Sequence, residues 1–304
     1  MKSVLMIGQS NMAGRGFINE VPMICNERIQ MLRNGKWQMM TEPINYDRPI
    51  SGVSLAGSFA AMWCMENKEE QIGLIPCAEG GSSIDDWSIE KILFKNAIIQ
   101  AKFAMQNSNL IAILWHQGEN DSYNGNYKTY YEKLHTIFEA LKNELNLDDV
   151  PFIIGGLGDY LGKIGFGFNC TEYDLVNKEL LRYANDHNHV YFVTAQGLSA
   201  NPDGIHLNAV SQRKFWGFRY YYAYKNKNEC DNTFEKSEEK LLESCINIPY
   251  TQNEMKYLAM MDLTMGKCSY EEFITKSEKS LTFNLTNGNK IKKRIRILQR
   301  SVIV

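Results

Sequence analysis

Ser10 has the sequence setting of a nucleophile. It comes two residues after Gly8, directly after a short apolar run of the kind that forms a buried strand, and small residues follow it at Ala13 and Gly14. A serine hydroxyl attacks a carbonyl carbon only when a base takes its proton, and a third group must orient that base. The serine therefore needs a histidine, and the chain has five.

His206 is the histidine that comes with a carboxylate. In Asp203-Gly-Ile-His206 the aspartate lies three residues earlier, on a segment rich in turn-forming residues. Asp203 can accept a hydrogen bond from Nδ1–H of the imidazole, which leaves Nε2 to take the proton of Ser10. The alternative is a surface histidine beside an aspartate that caps the helix expected from about Asn208. His116 follows an apolar run but has no acid at matching spacing.

Three positions can supply hydrogen-bond donors to the oxygen that becomes negative in a tetrahedral intermediate. They are the backbone N–H of Ser10, the N–H of Gly80, with Gly81 next to it, and the carboxamide of Gln117. Each such donor lowers the barrier by roughly 2.7 to 4 kcal/mol. A glycine suits this task because its backbone can approach a substrate without a Cβ. Alternatively, Gly80-Gly81 is a tight turn and Gln117 a polar loop residue.

These residues follow short apolar runs that alternate with segments of helical period. This pattern predicts a three-layer α/β/α sandwich around a five-stranded parallel sheet. The predicted strands are 4–7, 72–76, 110–115, 152–154 and 190–193, and the predicted helices are 58–67, 89–106, 127–145, 172–186 and 209–224. Because ligands of such sheets bind beyond the carboxyl ends of the strands, we expect loops 8–12, 78–82, 116–120 and 201–208 to meet there.

The composition changes from about residue 225 to charged, amphipathic segments, so we predict two parts, 1–228 and 229–304. Helices are expected at 233–245, 251–265 and 270–277, and Asn287-Gly288 between two alternating runs predicts a β-hairpin. Residues 281–300 hold six basic side chains and no acidic one. We interpret them as the solvated face of the hairpin; a winged nucleic-acid-binding module is the alternative.

Composition excludes several classes of protein. The 304 residues contain 33 basic and 35 acidic side chains, so no overall field attracts the chain to nucleic acid or to an anionic membrane. There is no apolar run of 18 residues and no signal-peptide pattern at the start, which predicts a cytoplasmic protein without a membrane partner. Scattered single cysteines and the absence of a phosphate loop or zinc motif predict no disulfide framework, metal or cofactor.

Four segments together resemble the sequence blocks of the SGNH hydrolase superfamily, and more narrowly its sialate O-acetylesterase and acetylxylan esterase branch, carbohydrate esterase family six. They occur in the family's order within about the first 225 residues. The usual α/β-hydrolase motif Gly-x-Ser-x-Gly is absent because position 12 is methionine, which favours the flatter SGNH, flavodoxin-like architecture. The segments are Gly8-Gln9-Ser10-Asn11-Met12-Ala13-Gly14, Gly80-Gly81-Ser82-Ser83, Trp115-His-Gln-Gly-Glu119 and Asp203-Gly-Ile-His206.

The resemblance implies a role for each matching residue. Ser10 corresponds to the nucleophile, Asp203 to the acid and His206 to the base, while the N–H groups of Ser10 and Gly80 belong to the oxyanion hole. The superfamily's usual block-three asparagine is replaced in this branch by Trp-x-Gln-Gly-Glu, so Gln117 becomes the third donor. Glu119 corresponds to a buried carboxylate that organises neighbouring loops. The supporting residues are Gln9, Asn11, Gly81 and Glu119. From their places after the second segment and after the fourth strand, we expect Trp87 and Tyr160 to position the sugar; the alternative is that both are ordinary core or surface aromatic residues.

The resemblance also implies an activity. We expect a serine esterase that removes O-acetyl groups from carbohydrates, either acetylated xylo-oligosaccharides or acetylated sialic acid, through an acetyl-enzyme and without a metal. One alternative is an SGNH lipase or thioesterase acting on other acyl esters. Another is a carbohydrate-binding protein without turnover, against which the complete set of Ser10, Asp203 and His206 argues. The extension at 229–304 can support a homo-oligomer, shape the sugar site or bind another macromolecule.

Overall fold

A seven-stranded mixed sheet lies at the centre of the first 230 residues. We analyse a computed structural model that describes residues 1–230, 240, 243–244, 250–264 and 266–282. The spatial order of the strands is β3-β2-β4-β1-β5-β6-β7, and all neighbours are parallel except β2 and β3. The strands are β1 (Lys2–Gly8), β2 (Ile29–Arg33), β3 (Lys36–Met39), β4 (Ile72–Pro76), β5 (Asn109–His116), β6 (Phe152–Gly155) and β7 (Val190–Val193).

The predicted sheet of five parallel strands is wrong in strand number and in direction. All five predicted strands are present, but β2 and β3 add an antiparallel hairpin at one edge. Asn34-Gly35 forms its two-residue turn, with φ of 52° and 70°. Asn-Gly between two strands is a strong hairpin signal, so the sequence did contain the information. The two strands are short, at five and four residues, so neither contains a long apolar run.

Helices cover both faces of the sheet, which confirms the three-layer sandwich. Alternate residues of β1 point to opposite faces, so Val4 and Met6 belong to one core and Leu5 and Ile7 to the other. The helices are α1 (Ser10–Ala13), α2 (Ala56–Glu66), α3 (Ile92–Ala104), α4 (Tyr130–Leu145), α5 (Tyr173–Asp186), α6 (Ala209–Lys214) and α7 (Tyr221–Asn226). A π-helical segment, Phe215–Tyr220, joins α6 to α7, so the predicted helix 209–224 consists of three pieces.

β1 occupies the position that brings the loops together. It lies between β4 and β5, and the chain leaves these three strands at the same edge because they are parallel. Helix α2 connects β2 and β3 to β4 on one face, and α3 connects β4 to β5 on the other. Ligands of open α/β sheets bind at such a switch point.

The chain divides into two compact units, residues 1–24 with 28–248 and residues 25–27 with 249–304. In the second unit, α8 (Gln252–Thr264) and α9 (Tyr270–Thr282) pack on each other, and Lys276 pairs with Asp262 at 2.9 Å. These helices correspond to the predictions at 251–265 and 270–277. The predicted helix 233–245 and the basic hairpin lie largely outside the described residues, and the split at residue 228 stays a prediction. Among the described helices, none is long and apolar enough to cross a membrane.

Candidate active site

Ser10, His206 and Asp203 form a continuous chain of hydrogen bonds at the carboxyl end of β1. Nε2 of His206 lies 3.0 Å from Oγ of Ser10, and Nδ1 lies 2.7 Å from Oδ2 of Asp203. The other carboxylate oxygen of Asp203 accepts from the backbone N–H of Ile205 and of His206, each at 3.0 Å. The structure therefore brings together the three residues that the sequence singled out.

The local backbone explains how Ser10 reaches this position. It starts α1 immediately after β1, and Gly8 lets the strand end close to β5. A Cβ on Gly8 would fall 2.1 Å from the carbonyl oxygen of His116, and its φ of +136° also disfavours any other residue. The serine is thus held at the tip of a central strand, facing the turn that carries His206.

Asp203 is held as a carboxylate. Burial acts to raise its pKa, but the hydrogen bonds from His206 and Ile205 and the nearby imidazole outweigh it and keep the pKa below its usual value. An ionised Asp203 can accept a hydrogen bond from Nδ1–H of His206, and in that tautomer of the neutral imidazole the unprotonated Nε2 faces Ser10. This is the arrangement in which the imidazole can act as a base.

A single asparagine holds both chain neighbours of His206. The amide Nδ2 of Asn11 donates to the carbonyl of Ile205 at 3.1 Å and to Oε1 of Glu119, and its Oδ1 accepts from the N–H of Leu207 at 2.9 Å. Glu119 is almost fully buried and thus matches the predicted carboxylate that organises neighbouring loops.

The carboxylate of Glu119 also contacts a buried histidine. Its Oε1 lies 3.1 Å from Nε2 of His116. Burial acts to raise the pKa of Glu119, but His116 and the hydrogen bond from Asn11 outweigh it and lower the pKa overall. Glu119 is therefore an anion that orients the amide of Asn11.

Gln117, the predicted side-chain donor of the oxyanion hole, is occupied by protein groups. Its Nε2 lies 2.6 Å from Oδ2 of Asp121, 3.1 Å from the carbonyl of Ser82 and 3.2 Å from Oε1 of Gln9, and its own Oε1 accepts from the hydroxyl of Tyr130. The side chain is fully buried and does not line the cavity beside Ser10. Gln117 therefore lies outside the cavity, where its hydrogen bonds connect the loops that carry Gln9, Ser82 and Asp121.

Gln9, unlike Gln117, lines the cavity beside Ser10. Its Oε1 accepts from Nε2 of Gln117 and, at 3.1 Å, from the backbone N–H of Gly118, which determines the orientation of the carboxamide. Gln9 lines the cavity with Ser10, and within the described residues its Nε2 has no protein acceptor. The sequence marked Gln9 as a supporting residue only, since a residue type does not show which glutamine faces a ligand.

Gly80 lines the cavity, but its N–H already donates a hydrogen bond within the protein. It donates to Oδ2 of Asp47 at 2.8 Å, and the same carboxylate forms a two-pronged pair with Arg15, with distances of 2.6 and 3.1 Å. Burial acts to raise the pKa of Asp47, but the hydrogen bonds and charge of Arg15 lower it overall. No motif marked this ion pair, because its members are 32 positions apart. Gly81, with φ of +78°, also lines the cavity.

The two aromatic residues predicted to position the sugar lie elsewhere. Trp87 is 1% exposed, packs edge-on against Trp115, and donates to Oγ of Ser82. Tyr160 donates to the carbonyl of Ile205 at 3.3 Å. Neither residue lines the cavity, so the prediction is corrected: Trp87 belongs to the core and Tyr160 supports the turn before His206.

Other aromatic residues do line the cavity, which has a volume of about 1040 Å³. Phe166 and Phe168 stand on its wall, and Tyr123 contributes a third ring. The segment between β6 and α5, which carries the two phenylalanines, contains no sequence motif that marks them. Within the described residues, no three His, Cys, Asp or Glu side chains are grouped so that they could hold a metal ion.

Comparison with known proteins shows the family to which the chain belongs. Residues 1–226 match the family described as carbohydrate esterase, sialic acid-specific acetylesterase. A probable carbohydrate esterase of Arabidopsis thaliana is 27% identical over 233 residues, which are 68% of this chain and 84% of the plant protein. Its crystal structure superposes with a TM-score of 0.66 at 24% identity, over 74% of this chain and 98% of that one.

Two further structures share the fold. NanS is 16% identical with a TM-score of 0.62, over 74% of this chain and 97% of that chain. A carbohydrate acetylesterase from Xanthomonas citri is 14% identical with a TM-score of 0.54, over 73% of this chain and 55% of that chain. Since the family match spans most of the chain, this protein belongs to the sialic acid-specific acetylesterase family of carbohydrate esterases and is a carboxylic ester hydrolase of the carbohydrate acetylesterase type.

Proposed function

We propose that this protein removes O-acetyl groups from carbohydrates through an acetyl-enzyme formed on Ser10. The observation that carries the proposal is the hydrogen-bonded chain from Ser10 through His206 to Asp203, of which Ser10 and His206 line a large cavity. The family supplies the class of substrate, an acetylated sugar. Acetylated xylo-oligosaccharides and acetylated sialic acid are the two candidates that we test.

In the first half of the reaction, Oγ of Ser10 attacks the acetyl carbonyl carbon while Nε2 of His206 takes its proton. The carbonyl oxygen becomes negative in the tetrahedral intermediate. When the intermediate collapses, the bond from the acetyl carbon to the sugar oxygen breaks and His206 gives its proton to that oxygen. The sugar alcohol leaves and the acetyl group remains on Ser10.

In the second half, water attacks the acetyl-enzyme while His206 takes a proton from it. Collapse of this intermediate breaks the bond to Oγ, returns a proton to Ser10 and releases acetate. Asp203 stays ionised throughout and stabilises the imidazolium, as its lowered pKa requires.

Hydrogen-bond donors must stabilise the negative oxygen in both halves. The N–H of Ser10 is available because the first residues of a helix have no acceptor within it. We assign the side-chain donor to Nε2 of Gln9, because Gln9 lines the cavity and Gln117 does not. Gly80 stays the predicted second backbone donor. For this role its N–H must break its hydrogen bond to Asp47 and donate to the substrate oxygen instead.

The test is acetate release from acetylated xylo-oligosaccharides and from 9-O-acetylated sialic acid, measured for the wild type, Ser10→Ala and His206→Ala. Ser88→Ala serves as the matched control, since Ser88 lies outside the cavity. We expect release from at least one sugar, lost with Ser10 or His206 and retained in the control. Hydrolysis of p-nitrophenyl octanoate without acetate release from either sugar would show a lipase or thioesterase instead. Sugar binding without any ester hydrolysis would show a binding protein.

A further inference from the structure

Two phenylalanine rings stand exposed in the wall that also contains Ser10 and His206. Phe166 is 77% and Phe168 is 60% exposed, and both belong to the short 3₁₀ helix Gly165–Asn169 between β6 and α5. A single exposed apolar side chain is ordinary in a folded protein. Here two large exposed rings line the same reaction cavity, and exposed apolar surface of this kind marks binding sites. Because both rings are exposed, packing into the hydrophobic core does not explain their position.

The segment that carries the rings is fastened to the catalytic turn. The N–H of Phe166 donates to the carbonyl of Asp203 at 2.8 Å. A Cβ on Gly165 would fall 2.1 Å from that same oxygen, and one on Gly167 would fall 2.0 Å from the carbonyl of Gly204. These glycines allow the two backbones to touch. The rings are therefore held at a defined position relative to the turn that presents His206.

The size of the cavity leaves room for more than the acetyl group. Its volume of about 1040 Å³ slightly exceeds the range, roughly 300 to 1,000 Å³, that is usual for pockets holding drug-sized ligands. An acetyl group fills a small part of this space. The remainder must take the alcohol that carries the acetyl ester, which for this family is a sugar.

A pyranose fits these surroundings. The face of an aromatic ring is electron-rich and attracts the C–H hydrogens on one face of a sugar ring, while its area shields them from water. The hydroxyl groups at the sugar's edge need polar partners, and the side chains of Asn120, Asn124 and Arg48 line the same cavity.

We propose that Phe166 and Phe168 form the platform on which the sugar ring of the acetyl ester stacks. The proposal rests on the proposed function, since a sugar acetate must be the substrate. The platform positions the leaving group and contributes nothing to the acetyl group itself. It therefore sets the preference for a sugar acetate over an acetate with a small alcohol.

The experiment compares kcat/KM for an acetylated xylo-oligosaccharide, or for 9-O-acetylated sialic acid, with kcat/KM for ethyl acetate, which carries no ring. The variants are Phe166→Leu, Phe168→Leu and the double variant, which keep apolar bulk but remove the aromatic face. We expect the ratio to fall roughly two- to tenfold per ring, through KM for the sugar acetate. Phe103→Leu is the control, because Phe103 is 42% exposed on α3 and lies outside the cavity. Its ratio is expected to match the wild type.

The outcomes separate this inference from the proposed function. An unchanged ratio in the double variant, with serine-dependent acetate release intact, overturns the platform alone. A selective loss of p-nitrophenyl octanoate hydrolysis in the Phe variants shows that the rings hold an acyl chain, which also overturns it. If the wild type releases no acetate from either sugar, calorimetric titration of Ser10→Ala with the same sugars decides. Binding weakened by the Phe substitutions supports the platform, and absence of binding overturns both proposals.

Discussion

Asn11 donates its side-chain amide to the buried carboxylate of Glu119 and at the same time holds the backbone on both sides of His206. The two amide hydrogens go to Glu119 and to the carbonyl of Ile205, so the amide oxygen is left for the N–H of Leu207. Glu119 thereby determines which way the amide of Asn11 faces. Through this contact, a carboxylate that follows β5 positions an imidazole that follows β7.

Asn11→Ala is expected to lower kcat for p-nitrophenyl acetate roughly 10- to 100-fold, because a small displacement of His206 from Oγ of Ser10 is costly. Asn177→Ala is the matched control. The side chain of Asn177 likewise holds a backbone: its Nδ2 donates to the carbonyl of Leu157 at 2.9 Å, and its Oδ1 accepts from the N–H of Leu157 at 2.6 Å. Leu157 is far in sequence from the turn that carries His206. Both kcat and Tm are measured. Equal losses of kcat at equal losses of Tm would mean that Asn11 acts through general stability only.

The sequence alone was sufficient to predict the site residues that follow the ends of strands. Ser10 and His206 could be paired because the carboxyl ends of parallel strands meet, so that spacing along the chain did not matter. It was insufficient for the two glutamines, since Gln9 and Gln117 are the same residue type on neighbouring loops. Which of them faces the cavity depends on the buried partners of Gln117, above all Asp121. For the edge hairpin, Asn34-Gly35 is a sufficient signal in the sequence.

Gln9→Glu and Gln117→Ala distinguish the two candidate oxyanion donors. Gln9→Glu keeps an oxygen for the N–H of Gly118 but replaces the donor Nε2 by an anion, so we expect kcat to fall by roughly 10²- to 10³-fold or more. Gln117→Ala removes the partner of Asp121 and Tyr130, so we expect a clear loss of Tm. A loss of kcat of that size in Gln117→Ala at unchanged Tm would return the donor role to Gln117.

Gly80→Ala and Gly81→Ala test the loop that carries the predicted backbone donor. A Cβ on Gly80 would lie 2.4 Å from Nη2 of Arg15 and 2.7 Å from Oδ2 of Asp47, which forces this buried ion pair apart. We expect Gly80→Ala to lower the free energy of unfolding by about 3 kcal/mol or more. Gly81→Ala meets no atom within 4 Å and adds only the strain of its positive φ, about 1 to 2 kcal/mol. Urea unfolding measures both, and equal losses would contradict the role assigned to the ion pair.

The charge of Asp203 predicts how the stability of the protein depends on pH. Its pKa in the folded state is below its ordinary value of 3.8, so the folded state releases its proton more readily than the unfolded chain. The carboxylate therefore stabilises the fold above about pH 3.8, and this contribution is lost as the pH falls through the lower, folded pKa. Asp203→Asn lacks the titration but keeps the shape of the side chain.

Thermal unfolding of the wild type and of Asp203→Asn, followed from about pH 7 to about pH 3, measures this contribution. We expect the wild type to have the higher Tm near neutral pH and the difference to shrink once the pH falls below 3.8. At neutral pH the variant should also keep residual esterase activity, because His206 remains but its tautomer is no longer held by an anion. A difference in Tm that stays constant over the whole range would show that the hydrogen-bond geometry of the turn, and not the charge of Asp203, stabilises the fold.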